Sequence, residues 1–118
     1  MLAVEDDEKV MELTVVALKD LGYRVLTAAN AADALVSLKS HAGIDVLFSD
    51  VMMPGGMNGA QLAVEVRRIR PDLKVLLTSG YTAEALMKEH GMPDDLEVLA
   101  KPYRHEDLAD KLRLVIKG

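Results

Sequence analysis

The stretch IDVLFSDVMMPGGMNG, Ile44 to Gly59, decides how the rest of the chain is read. It opens with an apolar run, Ile44, Val46, Leu47 and Phe48, interrupted only by Asp45. The run is too short for a globular helix and reads as a buried strand. Asp50 stands where that strand runs out. Pro54, Gly55, Gly56, Asn58 and Gly59 then force the backbone into a loop before the next helical pattern begins. A lone carboxylate is thereby displayed at the C-terminal end of a strand, on the rim where open α/β sheets bind their ligands.

Working outward, the same alternation repeats along the chain. Leu2 to Val4 is a short apolar strand that runs into four acids, Glu5, Asp6, Asp7 and Glu8. Val10, Leu13, Ala17, Leu18 and Leu21 recur at helical spacing, and Gly22 supplies the stop. Tyr23 to Ala28 is rich in β-formers, and Asn30 caps a helix carrying Ala31, Leu35 and Leu38, closed by His41 and Gly43. After the central strand and its loop, Ala60 to Arg70 predicts a helix with Leu62, Val66 and Ile69 inward, stopped at Pro71. Lys74 to Thr78 is a fourth strand; Thr82 caps a short helix that ends near His90 and Gly91. Leu96 to Ala100 is a fifth strand, and Leu108, Leu112, Val115 and Ile116 define an amphipathic last helix. Five alternations of strand and helix imply a parallel sheet covered on both faces, because right-handed crossovers place helices on each side.

Composition sets the bounds. A chain of 118 residues fits one domain and buries a core without staples. Half of the residues are hydrophobic and 28% are charged, and cysteine is absent, which excludes disulfide scaffolds, thiolate nucleophiles and cysteine-based zinc sites. No apolar stretch approaches bilayer length and no signal-peptide pattern opens the chain, so a soluble, cytoplasmic protein is expected. The formal net charge of −5 disfavours nucleic-acid binding. Arg67, Arg68 and Arg70 form the single basic cluster and read as a solvated helix face.

The residues at the strand ends converge chemically. Glu5, Asp6 and Asp7 follow the first strand, Asp50 ends the third, Ser79 follows the fourth and Lys101 the fifth. Each has an ordinary structural explanation alone: acid runs and strand-end aspartates cap helices and turns, Ser79 precedes Gly80 in a turn, and Lys101 precedes Pro102 at the surface. His41, His90 and His105 are scattered and read as structural. Only the joint arrangement points to chemistry. If the first and third strands are neighbours, their carboxylates crowd unless a cation sits between them. Magnesium suits that supply, since it takes one or two carboxylates, several waters and a phosphoryl oxygen.

VEDDEKV, DVLFSDVMMPGGMNG, VLLTSGY and LAKPY, in this order over nearly the whole chain, resemble the receiver domain of bacterial two-component response regulators. The resemblance implies a flavodoxin-like, CheY-like fold: a doubly wound five-stranded parallel sheet of order 2-1-3-4-5, with five helices in a three-layer α/β/α sandwich. It also assigns roles. Asp50 matches the phosphoacceptor, Glu5 and Asp6 the acidic pair that holds Mg2+, Ser79 the switch hydroxyl, and Lys101 the lysine that contacts the phosphoryl group. Met52 would lend its backbone carbonyl to the metal, and Asp6 is favoured over Asp7 as the direct ligand. A cis peptide between Lys101 and Pro102 is implied as well.

Two departures stand out. Val98 occupies the place where the family often has an aromatic switch residue, so activation is expected through loop and helix displacement around Ser79 to Gly91. The loop MPGGMNG is one residue longer than the common form, which bears on where the third helix starts. The wording TSGY with KPY looks most like receivers attached to hybrid sensor histidine kinases. The function implied is a phosphorelay module, residues 1–118, taking its phosphoryl group from a histidine kinase or a histidine phosphotransfer protein. No stand-alone enzyme is expected beyond self-catalysed phosphoryl transfer and autodephosphorylation, and the resemblance admits a phosphorylation-dependent dimer. Because the first strand starts at Leu2 and the chain stops just after the last helix, an excised domain is expected.

Three rival readings are weaker. A flavodoxin-like binder of flavin or nucleotide wants a Ser/Thr/Gly-rich phosphate loop after the first strand, where four acids stand instead. A hydrolase of the haloacid-dehalogenase type wants a second aspartate at the position of Met52. A degenerate receiver that only binds protein would not keep Glu5, Asp6, Asp50, Ser79 and Lys101 together.

Overall fold

The computed structural model describes residues 1–53, 56–90, 92 and 95–117, and the sequence readings placed on Pro54, Gly55 and Gly91 lie outside them. The elements run β1 (Leu2–Val4), α1 (Glu8–Asp20), β2 (Leu26–Ala28), α2 (Ala31–Ser40), β3 (Val46–Asp50), α3 (Gly59–Ile69), β4 (Lys74–Ser79), α4 (Ala83–His90), β5 (Glu97–Ala100) and α5 (His105–Lys117). All four strand pairings are parallel, and the sheet order is β2-β1-β3-β4-β5. The parallel pairing is what the alternation predicts, and the order is the doubly wound, flavodoxin-like one that the resemblance implies.

Side chains along each strand alternate between faces, so every inner strand feeds two apolar interiors. Leu2, Val4, Leu47, Val75 and Leu77 meet α2, α3 and α4 through Ala34, Leu38, Leu62, Ala63, Val66 and Leu86. Ala3, Val46, Phe48, Leu76 and Leu99 meet α1 and α5 through Leu18, Leu108 and Leu112. All five residues of β3 are buried, as befits the central strand of a sheet covered on both faces.

Strand β2 is shorter than the Tyr23 to Ala28 run. β1 offers only three residues for pairing, matched to Leu26, Thr27 and Ala28. Tyr23 and Val25 instead pack as loop residues against the α1/α5 interior. Helix α1 ends as its sequence suggests: Gly22 adopts φ +93°, and the Gly22 and Tyr23 amides return to the Lys19 and Leu18 carbonyls at 2.9 and 3.1 Å. Leu13, Ile69 and Ile116, expected inward, face solvent with 72%, 40% and 38% exposure. Each stands one residue from the true inner stripe or past its last inner turn: Thr14 and Leu18 are buried in α1, Val66 in α3 and Val115 in α5.

The arginines do not form one solvated face. Arg67 pairs with Asp95 at 2.7 Å and Arg68 with Glu65 one turn earlier. Arg70 reaches back to the loop before β3, where its guanidinium donates to the carbonyls of Ala42, at 2.9 Å, and Ile44. Those carbonyls belong to the loop between α2 and β3, and the arginine's multiple donors satisfy both at once.

Candidate functional site

The rim is assembled by pairing register. Val4 lies beside Ser49, Asp50 beside Thr78, and Ser79 beside Ala100, so the residues that follow β1, β3, β4 and β5 emerge on one edge. The neighbouring of β1 and β3, on which the crowding of carboxylates depends, is met.

Asp50 is 8% exposed and ties the site together. Its Oδ2 accepts from Lys101 Nζ at 2.6 Å, and its Oδ1 accepts from the Met52 amide at 3.0 Å. The Lys101–Pro102 peptide is cis, as the resemblance implies. The Lys101 amide donates to the Ser79 carbonyl at 2.8 Å, which fixes the lysine's own backbone to the end of β4. Burial pulls the Lys101 ammonium down, but the hydrogen bond and charge of Asp50, with the charge of Glu5, more than offset this and leave it raised.

Glu5 is also buried, and its amide donates to Ala28 in β2 at 3.1 Å. Burial, joined by the neighbouring Asp50 and Asp6 carboxyls, pushes its own carboxyl up to about 7 against the pull of the Asp7 amide. Asp7 turns away: its Oδ1 accepts from the Lys9 and Val10 amides at 2.9 and 3.2 Å, which makes it the N-cap of α1. Asp6 is exposed, like Asp7, but is not the cap of α1. Among the described residues no three histidine or acidic side chains converge closely enough to hold a metal ion unaided. The donors present, two or three carboxylates and the nearby Met52 carbonyl, are nevertheless hard oxygens. They fit an ion that keeps much of its water and accepts a phosphoryl oxygen as a further ligand.

The raised Glu5 carboxyl sets a pH dependence for the metal-free protein. A folded-state value of about 7 against an ordinary 4.5 means that the fold favours the protonated acid. That stabilisation is complete below about pH 4.5 and is lost as pH rises through about 7. Thermal melts of the metal-free chain across this window should fall relative to Glu5→Gln, by on the order of 1–3 kcal/mol. Parallel curves for the two proteins would contradict it.

Ser79 is fully buried, and its Oγ accepts from the Tyr81 amide at 3.0 Å, leaving the hydroxyl proton to give elsewhere. Beside it, Thr78 Oγ1 donates to the Leu99 carbonyl at 2.9 Å and braces β4 against β5. Tyr103 packs edge-on to Phe48 with ring centroids 6.5 Å apart, and burial raises its hydroxyl above the usual range. Val98 is half-buried strand packing and Tyr81 points to solvent, 48% exposed.

The residue that sequence reasoning missed is Gly59. Helix α3 starts there, one residue before the expected Ala60, behind Asn58. The Asn58 and Gln61 side chains and amides close a reciprocal capping box at 2.8 and 2.9 Å. The Gly59 amide donates to the Val51 carbonyl at 2.9 Å, and a Cβ at Gly59 would lie 2.1 Å from the Asp50 carbonyl oxygen. The only signal in the sequence is a glycine at the helix start, which chain order does not connect to the backbone of Asp50.

Comparison with known proteins points the same way. The response regulator receiver protein CpdR of Brucella abortus is 34% identical over 116 residues, covering 98% of this chain and 95% of that protein. The sensor kinase CckA of the same organism is 33% identical over 118 residues, but the chain spans only 12% of its length. Among solved structures, the response regulator TrrA of Thermotoga maritima, in complex with Mg2+ and BeF, superposes with a TM-score of 0.84 at 27% identity, covering 97% of this chain and 96% of that one. A receiver protein from Sinorhizobium medicae gives 0.86 at 26% identity over 99% and 93%. The family model for the response regulator receiver domain matches residues 1–113, and with the fold and the acid, aspartate and lysine rim already in place, the chain belongs to that family.

Proposed function

We propose that residues 1–118 form one receiver module of a phosphorelay in which Asp50 accepts a phosphoryl group from a phosphohistidine of a histidine kinase or histidine phosphotransfer protein. The observation that carries this reading is Asp50 itself, at a strand end, held by Lys101 at 2.6 Å and by the Met52 amide, opposite Glu5. A carboxylate oxygen attacks phosphorus, the P–N bond to the imidazole breaks, and an acyl phosphate forms on Asp50. Lys101 moves from the carboxylate to a phosphoryl oxygen without leaving the rim, so its charge stays near the developing negative charge. Glu5, Asp6, Asp50 and the Met52 carbonyl are the residues that would hold Mg2+. When bound, the ion supplies charge neutralisation of the phosphoryl oxygens.

The Ser79 hydroxyl, its proton uncommitted among the described residues, donates to a phosphoryl oxygen. Because its oxygen also holds the Tyr81 amide, movement of the hydroxyl is passed to the loop leading into α4. Exposed Leu13 lines a groove with Val10, Ala17, Pro102 and Leu108 directly beside Lys101, which suits an apolar helix bearing the donor histidine. Among the described residues no helix is long and apolar enough to cross a membrane. We place the module in the cytoplasm, where histidine kinase domains work. The attachment to a hybrid kinase suggested by TSGY and KPY belongs to the same proposal.

Intact-mass measurement after incubation with magnesium and a small-molecule phosphodonor tests the reading. One phosphate increment is expected, mapping to the peptide that contains Asp50; an equal increment in the presence of chelator would overturn it. Magnesium alone is expected to raise the thermal midpoint of the unphosphorylated chain, since an ion bound to the native acids relieves their repulsion and stabilises by mass action. The same shift in a variant carrying Asp6→Asn and Asp50→Asn would place the ion elsewhere.

A further inference from the structure

The chain has seven methionines, at positions 1, 11, 52, 53, 57, 87 and 92, and they differ sharply in access. Met1, Met53 and Met92 are buried at 8%, 8% and 4% exposure, whereas Met52 is 45% exposed. Met11, Met57 and Met87 are half-buried and pack against the two interiors. Met52 is also the residue whose amide holds Asp50 Oδ1 at 3.0 Å, so the most exposed methionine of the seven is carried two residues from the acceptor carboxylate. Loss of solvent protection is what makes a thioether reactive toward dissolved oxidants, and the product is a polar, hydrogen-bond-accepting sulfoxide.

We propose that Met52 is a site of reversible oxidation, converted to the sulfoxide by a peroxide ahead of the other methionines, and that the sulfoxide slows phosphoryl uptake at the rim. A sulfur lone pair attacks one peroxide oxygen, the O–O bond breaks, the S–O bond forms and the other oxygen leaves as water. Sulfur is oxidised by two electrons and the peroxide is reduced by two. Reduction by two thiols, which close to a disulfide and release water, restores the thioether. The new oxygen accepts hydrogen bonds and donates none, and it adds a dipole to the residue whose amide holds the acceptor carboxylate, at the rim where an anionic phosphoryl group must arrive. Because Met52 is 45% exposed, its sulfoxide stays largely solvated, and the effect on uptake is a severalfold slowing and not a block. This second half of the proposal rests on the phosphoacceptor reading; the first half does not.

The test treats the whole chain with dilute hydrogen peroxide for increasing times, quenches it, and maps sulfoxide by peptide mass spectrometry. Met52 should fill before any other methionine; equal or earlier filling of another would overturn the proposal whether or not Asp50 accepts phosphate. Phosphoryl uptake is then compared before and after treatment in the wild type and in Met52→Leu, each against its own untreated rate. Uptake should slow severalfold in the wild type and recover with thiol-dependent sulfoxide reductase, while the treated-to-untreated ratio of Met52→Leu stays near unity. Equal slowing in both proteins, or none in the wild type, would overturn the regulatory half. If the untreated wild type takes up no phosphate at all, the phosphoacceptor reading fails, and the oxidation map still decides the site.

Discussion

Asp50→Asn is expected to take up no phosphoryl group under conditions that label the parent chain to completion, the largest functional effect that a single substitution here should have. The amide is close to the carboxylate in size, so the packing of β3 is preserved, and the effect is one of chemistry. A carboxamide oxygen carries no full negative charge, cannot form the acyl phosphate, and gives Lys101 Nζ a neutral partner in place of the ion pair at 2.6 Å. Neither Asp7 nor Glu5 substitutes. Asp7 is committed to the α1 cap, and Glu5 is held toward its protonated form by burial. Intact mass together with circular dichroism decides the matter: a folded Asp50→Asn chain that still gains phosphate would move the acceptor to another residue.

Gly59→Ala should destabilise the protein by at least about 2–3 kcal/mol, the cost of forcing an extra carbon into a closed site. In free helix-forming terms alanine is the better residue by about 1 kcal/mol, so the sign of the result separates local propensity from close approach. Close approach wins because the obstacles are backbone atoms. The added Cβ would stand 2.1 Å from the Asp50 carbonyl oxygen and 2.8 Å from Val51 Cα, and neither can rotate away as a side-chain tip could. To relieve the clash α3 must back off from β3, which loosens the Gly59 to Val51 hydrogen bond and the backbone that aims Asp50. A fall in thermal midpoint of roughly 10 °C is the expected reading for a domain of this size. A midpoint at or above that of the parent would show that the helix start yields freely.

What the sequence made legible was whatever depends on local pattern and on chemistry at strand ends. Glu5, Asp6, Asp50, Ser79 and Lys101 stood out only through their joint placement at strand ends and the family resemblance, whereas alternating apolar runs, Asn30 and Thr82 as caps and Gly22 as a stop are readable from neighbours in the chain. Hydrogen bonds of Asn30 to Asp33 and of Thr82 to Ala85 follow from that chemistry. What escaped depends on distant residues. Leu13 obeys helical spacing but lies on the solvent side of Thr14, because an amphipathic stripe broader than the contact leaves its edge residues exposed. Tyr23 to Val25 have strand propensity, yet β1 is too short to pair with them. Arg70 looked like surface charge until its partners, the carbonyls of a loop 26 and 28 residues away, came into contact. Gly59 could be called special only once Asp50 was known to lie against it.

Because the sheet walls the α1/α5 interior from the α2/α3/α4 interior, the two can melt at different free energies. Helix α5 is anchored by three buried side chains, Leu108, Leu112 and Val115, and α1 by Leu18 and Thr14 on the same side. On the other side, Leu86 is the fully buried anchor among the described side chains of α4, an eight-residue helix joined to Ser79 through the Tyr81 turn. Among the described side chains α5 is thus held at three buried positions and α4 at one. If Asp50 is the phosphoacceptor as proposed, a change at Ser79 is expected to displace α4 before it alters the groove beside Lys101.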